Sequence, residues 1–154
     1  MSTAAAWLRV GLVAALVLVL DQVSKALVRA DVEVGEKHEV LPFLDIVHVH
    51  NDGVAFGFLG GGGALVLIVV FAAVALLLGF FARNPTARLL WLPTGMLLGG
   101  ALGNLVDRIR QGYVTDFIGQ PVLPSFNVAD IAVTCGVILL VILLELNARR
   151  PAAA

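Results

Sequence analysis

The side chains able to do acid–base chemistry are few in this 154-residue chain, and they gather at particular places. Asp21 and Lys25 stand four apart, a spacing that lets them pair on one helix face. Asn104, Asp107 and Arg108 close one long apolar run, Asn127 and Asp130 open another, Asp116 lies between them, and Asn51 precedes a further uncharged stretch. An aspartate or arginine at the centre of a bilayer costs roughly 2.5–3.5 kcal/mol on insertion scales, so such residues in such a chain require a reason. The bland reason is helix capping, with Asn127 as an N-cap and Asp130 in the first turn behind it. Capping accounts for Asn127 well and for Asp130 in part. It does not account for polar groups converging from every apolar segment on one side, which a functional cluster does.

Elimination narrows the chemistry. Ser24 and Ser125 have no G-x-S-x-G elbow around them. Cys135 is the sole cysteine, which precludes an internal disulfide. With no histidine near it in sequence, it reads as a small packed hydrophobe. His48-x-His50 falls on one face of a strand, but spacings such as H-E-x-x-H are absent, so surface strand histidines are expected and no metal site or cofactor. Carboxylates remain. Two aspartates about 4 Å apart repel by roughly 4 kcal/mol at an effective dielectric of 20, which separates their pKa values by about three. One proton is then shared near neutral pH. The charged member can take a proton from water while the neutral member gives one to a carbonyl oxygen, hydrolysing a peptide without a covalent intermediate.

The elements that must position these groups are read from hydropathy. The chain is 60% hydrophobic and 14% charged, with a mean hydropathy of +0.99; soluble domains run near 45–50% and 25%. A water-soluble fold of this size cannot hide so much apolar surface, so lipid is its solvent. Four segments are long enough to cross a bilayer, at about 10–29, 63–82, 89–108 and 128–147. The first resembles a secretory signal, but three further spans make a retained helix the better reading. Residues 31–62 are different: Asp45-Ile46-Val47-His48-Val49-His50 alternates as a strand does, with Pro42 and glycines as punctuation. A second extramembrane stretch, 109–127, carries Gly112, Gly119, Pro121 and Pro124. Gly95, Gly99 and Gly103 recur every four residues and share a helix face, a seam for close helix packing. The expectation is a single integral membrane domain over 1–154. It is an all-α membrane protein of four transmembrane helices with a small β-rich cradle outside the membrane.

Orientation is balanced on basic residues. Arg9, Arg83, Arg88, Arg149 and Arg150 share the side of the termini, and Lys25, Arg29, Lys37, Arg108 and Arg110 lie opposite. The positive-inside rule counts only Lys and Arg and therefore ties. Of the 11 acidic residues, only Glu145 lies with the termini, which favours cytoplasmic termini. A net charge of -1 without a basic stripe excludes nucleic acid as a partner.

Five blocks resemble those of the lipoprotein signal peptidases, the type II signal peptidases of bacteria. They are Asp21-Gln22-Val23-Ser24-Lys25, Asn51-Asp52-Gly53-Val54-Ala55-Phe56-Gly57, the run from Gly99 through Gly103-Asn104 to Asp107-Arg108, Val114-Thr115-Asp116-Phe117, and Phe126-Asn127-Val128-Ala129-Asp130. In order and at matching membrane positions, they cover nearly the whole chain. The resemblance implies that Asp116 and Asp130 form a catalytic dyad. It implies that the substrates are prolipoproteins carrying diacylglyceryl on the lipobox cysteine, cut just before that cysteine. It further implies four helices in the bacterial inner membrane, cytoplasmic termini, a site near the outer leaflet in contact with membrane lipid, and a β-cradle formed by 31–62. Asp21, Lys25, Asn51, Gly53, Asn104, Asp107, Arg108, Asn127 and Ala129 then bind substrate or support the site. A small proton-conducting transporter fits the same raw features, but it would carry its polar groups near the bilayer midplane. Here they lie at one membrane edge.

Overall fold

The computed structural model describes residues 2–52 and 62–148. Helix α1 (Thr3–Asp31) is followed by strands β1 (Lys37–Leu41) and β2 (Leu44–Asn51), then by helices α2 (Gly62–Arg83) and α3 (Trp91–Gln111), strand β3 (Val114–Gly119) and helix α4 (Val128–Ala148). α1 begins at Thr3 rather than near Val10, because the Ser2 hydroxyl caps it by accepting from the Ala5 N–H at 3.2 Å. That cap satisfies one of the donors a helix start leaves orphaned.

α1 and α4 are each long and apolar enough to cross a membrane. Their outward faces are lined with exposed leucine, valine and isoleucine, including Leu12, Leu16, Leu27, Ile138 and Val141. The core helix of a soluble protein would bury such side chains; here they require lipid. The shorter apolar stretch Ile68–Arg83 makes up most of α2.

α3 is the central helix, and glycines let its neighbours close on it. A methyl at Gly95 would lie 2.6 Å from the Val13 Cβ, and one at Gly99 2.7 Å from the Ala14 carbonyl oxygen, both on α1. On another face, a methyl at Gly100 would lie 2.6 Å from the Ala129 carbonyl oxygen of α4. The small-residue seam read in the sequence is therefore a real backbone-to-backbone contact. α3 stops at Gly112, whose φ of 84° places it in the left-handed region, its N–H returning to the Arg108 carbonyl. Only glycine adopts that conformation without penalty.

The three strands form one antiparallel sheet in the order β1-β2-β3. β3 falls in the second extramembrane stretch, 109–127, and so the sheet is not confined to 31–62. Its residues are nearly all buried, giving no inside–outside alternation to read. The pairing that matters sets Val49 opposite Asp116 and Asn51 opposite Val114. His48 and His50 are not the surface groups expected of them: His48 is buried with Nδ1 2.8 Å from the Val32 carbonyl oxygen, and His50 is half-buried and stacks on Tyr113.

Candidate active site

The polar residues of α1, α3, β2, β3 and the start of α4 meet where the helix bundle joins the sheet. Asn127 organises the start of α4. Its side-chain oxygen accepts from the Asp130 N–H at 3.0 Å, and its own N–H donates to the Asp130 carboxylate at 3.2 Å. This is a reciprocal capping box with aspartate in the third position. The amide NH2 of Asn127 is left free to point outward from the cap. It donates to Asp116 Oδ1 at 2.6 Å and to Asn104 Oδ1 at 3.2 Å. Asn104 in turn donates to Asp130 Oδ1 at 2.8 Å. Asp116 and Asp130 are thus tied together through two asparagines, across the 14 residues that separate them in sequence.

The two carboxylates differ in surroundings. Asp116 is buried on β3, and its second oxygen accepts from the Asn51 amide of β2 at 2.9 Å. Burial pushes its pKa up to about 6; Asn51 and Asn127 oppose the rise by favouring the charged form, and the nearby charge of Asp130 adds to it. Asp130 is half-buried and opens on two apolar cavities. One, of about 370 Å³, runs between α2, α3 and α4 and is lined by Leu77, Leu97 and Val133, with Asn104 and Arg108 at its polar end. The other, of about 460 Å³, lies between α4 and the segment Leu123–Phe126.

Beneath this pair sits a buried ion cluster. Lys25 is fully buried, with Nζ 2.8 Å from Asp21, 3.1 Å from Asp107 and 2.9 Å from the Asn104 side-chain oxygen. An ammonium has three hydrogens, and all three are taken. Asp21 passes the constraint onward by accepting from the Ala129 N–H of α4 at 2.9 Å. Asp107 does the same for β3, accepting from the Thr115 N–H at 3.1 Å. One lysine therefore fixes the residues immediately preceding both Asp116 and Asp130. Gly103 is part of this fit, since a methyl there would lie 2.5 Å from Asp21 Oδ2.

Of the residues singled out in sequence, Asp21, Lys25, Asn51, Asn104, Asp107, Arg108, Asp116, Asn127, Ala129 and Asp130 fall in this one network or line its cavity. Gly53 lies outside the described residues. Three members were missed. Gln22 donates to Asp21, Asp107 and the Gly103 carbonyl. Arg29 donates to Thr115 and stands 3.8 Å from Asp107. Thr115 links the two. A signal was present for two of them: Gln22, Lys25 and Arg29 recur at three- and four-residue spacing along one helix face.

The arrangement links two carboxylates through asparagines, Asp116 with its pKa raised to about 6 and Asp130 at the edge of two apolar cavities, beside lipid-facing helices. Comparison with known proteins agrees. The family model described as signal peptidase (SPase) II matches residues 13–146. A lipoprotein signal peptidase of Moorella thermoacetica is 41% identical over 131 residues, covering 84% of this chain and 87% of that protein. One from Shewanella oneidensis is 40% identical over 139 residues, covering 84% and 81%. Among solved structures, a bacterial membrane enzyme determined by the in meso method at 1.9 Å superposes with a TM-score of 0.81 at 36% identity, covering 86% of this chain and 90% of that one. A second, at 2.3 Å, gives a TM-score of 0.82 at 34% identity, over 93% and 91%. With the family model spanning most of its length and the two carboxylates held as a pair, this chain belongs to the signal peptidase II family of aspartic endopeptidases.

Proposed function

We propose that this membrane peptidase removes the signal peptide from diacylglyceryl-modified prolipoproteins, cutting on the amino side of the lipidated cysteine with a water activated between Asp116 and Asp130. One observation carries the reading: Asn127 and Asn104 tie Asp116 to Asp130, the residue on which both apolar cavities open. A substrate with an apolar leader and acyl chains needs such cavities, and the bond between them needs the acid and the base.

Asp116, whose pKa is raised to about 6, is the proton donor, and Asp130 is the proton acceptor. Asp130 takes a proton from water as the water oxygen adds to the scissile carbonyl, and Asp116 gives its proton to the carbonyl oxygen. The tetrahedral species collapses when Asp130 passes the proton it took from water to the cysteine nitrogen, the C–N bond breaks, and a hydroxyl of the species returns a proton to Asp116 as the new carboxyl group forms. Asn51 and Asn127 steady Asp116 through both states. Arg108 and Asn104, at the polar end of the cavity, hydrogen-bond the substrate backbone. Lys25, Asp21 and Asp107 hold the two carboxylate-bearing segments in register.

All four helices cross the bacterial inner membrane, with both termini in the cytoplasm and the carboxylate pair near the outer leaflet. Support for this comes from the lipid-facing side chains of α1 and α4, from the confinement of the charges of α3 to its last turns, and from the acidic residues gathered on the sheet side. At that depth a lipid-anchored peptide can present its bond while water still enters.

Purified protein and a diacylglyceryl-modified prolipoprotein test the proposal. Asp116→Asn and Asp130→Asn each lower the cleavage rate by roughly 10²–10⁴. Near wild-type cleavage by either variant overturns the mechanism. Equal cleavage of the unlipidated precursor overturns the substrate class.

A further inference from the structure

The turn joining β1 to β2 exposes what a water-facing turn would not. Phe43 is 81% exposed and has a φ of 69°, a left-handed conformation that penalises a bulky side chain. Leu41 beside it is exposed, as are Val122 and Leu123 in the connection from β3 to α4. The two segments adjoin, since Leu41, Pro42, Phe43 and Pro121 line a common cavity, whose other wall carries the Lys37–Asp45 ion pair. The patch is also continuous with the lipid-facing side of α4, because Leu123 and Pro124 share a cavity with Ile131, Thr134 and Cys135. At 1.5 Å per residue, Cys135 lies roughly 10 Å along α4 from its first residue. The connection therefore lies beside the first two turns of the helix.

We infer that the β1–β2 turn and the Pro121–Pro124 segment insert into the bilayer leaflet beside the site, as a lipid anchor for the sheet. The inference rests on the transmembrane placement of α4 proposed above. The occupant is phospholipid, on two grounds. The patch extends a surface that lipid already covers. It is also built with Pro42, Pro121 and Pro124, which bring no N–H group into a solvent that cannot satisfy one. The anchor sets the depth of the sheet, and with it the depth of Asn51 and Asp116, against the leaflet that holds α4 and Asp130.

Spin labels report depth directly. In a Cys135→Ala background, Phe43→Cys, Val122→Cys and Glu36→Cys are labelled with a nitroxide and reconstituted in phosphatidylethanolamine–phosphatidylglycerol vesicles. Collision with oxygen, which concentrates in lipid, is compared with collision with an aqueous nickel chelate. The oxygen-to-nickel ratio is expected to be several-fold higher at 43 and 122 than at 36, at the far end of β1. Equal ratios at all three positions overturn the proposal. Labels at 43 and 122 that are aqueous in empty vesicles and shielded only when prolipoprotein is added overturn it too, in favour of a substrate contact. Depth is read without cleavage. A shielded patch on a protein that cleaves no prolipoprotein would therefore sink the peptidase reading and leave the anchor standing.

Discussion

Asn127 donates to Asp116 from its side-chain amide at 2.6 Å while capping the helix that carries Asp130. A helix cap is normally a local device. Here it sets the position of one carboxylate relative to another on a different element. Asn127→Ala removes both roles and is expected to cost about 1 kcal/mol as a cap and roughly 100-fold in cleavage rate through misplaced carboxylates. Asn127→Asp keeps an oxygen for the cap but replaces the donor facing Asp116 with a third carboxylate. It should melt below wild type in detergent, because the added carboxylate is buried beside Asp116, and cleave no better than the alanine variant. A cleavage rate near wild type in Asn127→Asp would refute the positioning role.

The pH profile follows from Asp116. Burial raises its pKa to about 6. If Asp116 supplies the proton, kcat/KM falls as pH rises through that value, giving the alkaline limb. The limb belongs to the carboxylate pair as a unit. Asn51 donates to Asp116 and favours its charged form, so Asn51→Ala makes deprotonation harder and moves the limb to higher pH. A limb shifted to lower pH in that variant would reverse the assigned role.

Lys25 has no hydrogen to spare for a substrate. Lys25→Met leaves Asp21 and Asp107 as buried carboxylates without their cation, a change expected to cost about 3–5 kcal/mol. Thermal unfolding in detergent should show a large drop in midpoint. Among molecules still folded at low temperature, KM for the prolipoprotein should stay close to wild type. Normal stability with a raised KM would instead mean that Lys25 meets the substrate.

The positions of the apolar helices were legible because hydropathy is a one-dimensional property: a run without charges is visible without knowing its neighbours. The site was legible for a related reason. Polar residues such as Lys25 and Asp107 are costly in an apolar chain, so each one advertises a partner. Strand β3 was not legible. Val114–Gly119 is buried on both faces, so its pattern has no period to detect, and its pairing with β2 is set by contacts more than sixty residues away. Thr115 was missed because its partners stand on other elements: its N–H donates to Asp107 on α3 and its hydroxyl accepts from Arg29 on α1. The burial of His48 depends on a carbonyl at Val32 that sequence cannot aim.

The glycines of α3 permit a prediction with an internal control. A methyl at Gly99 would sit 2.7 Å from both the Ala14 carbonyl oxygen and the Val17 Cβ, whereas one at Gly79 on α2 meets nothing within 4 Å. Backbone cannot rotate aside as a flexible side chain can, so Gly99→Ala must push α1 from α3, at a cost of about 1–3 kcal/mol. Gly79→Ala should be neutral or mildly stabilising, because alanine is the better helix former by about 0.8–1.0 kcal/mol. Separating α1 from α3 also loosens the cluster that Lys25 makes with Asp107 and Asn104, for its two sides stand on those two helices. Gly99→Ala should therefore lose cleavage activity at temperatures below its unfolding midpoint, while Gly79→Ala keeps it. If the two variants melt and cleave alike, the close approach of α1 to α3 is not what holds the site together.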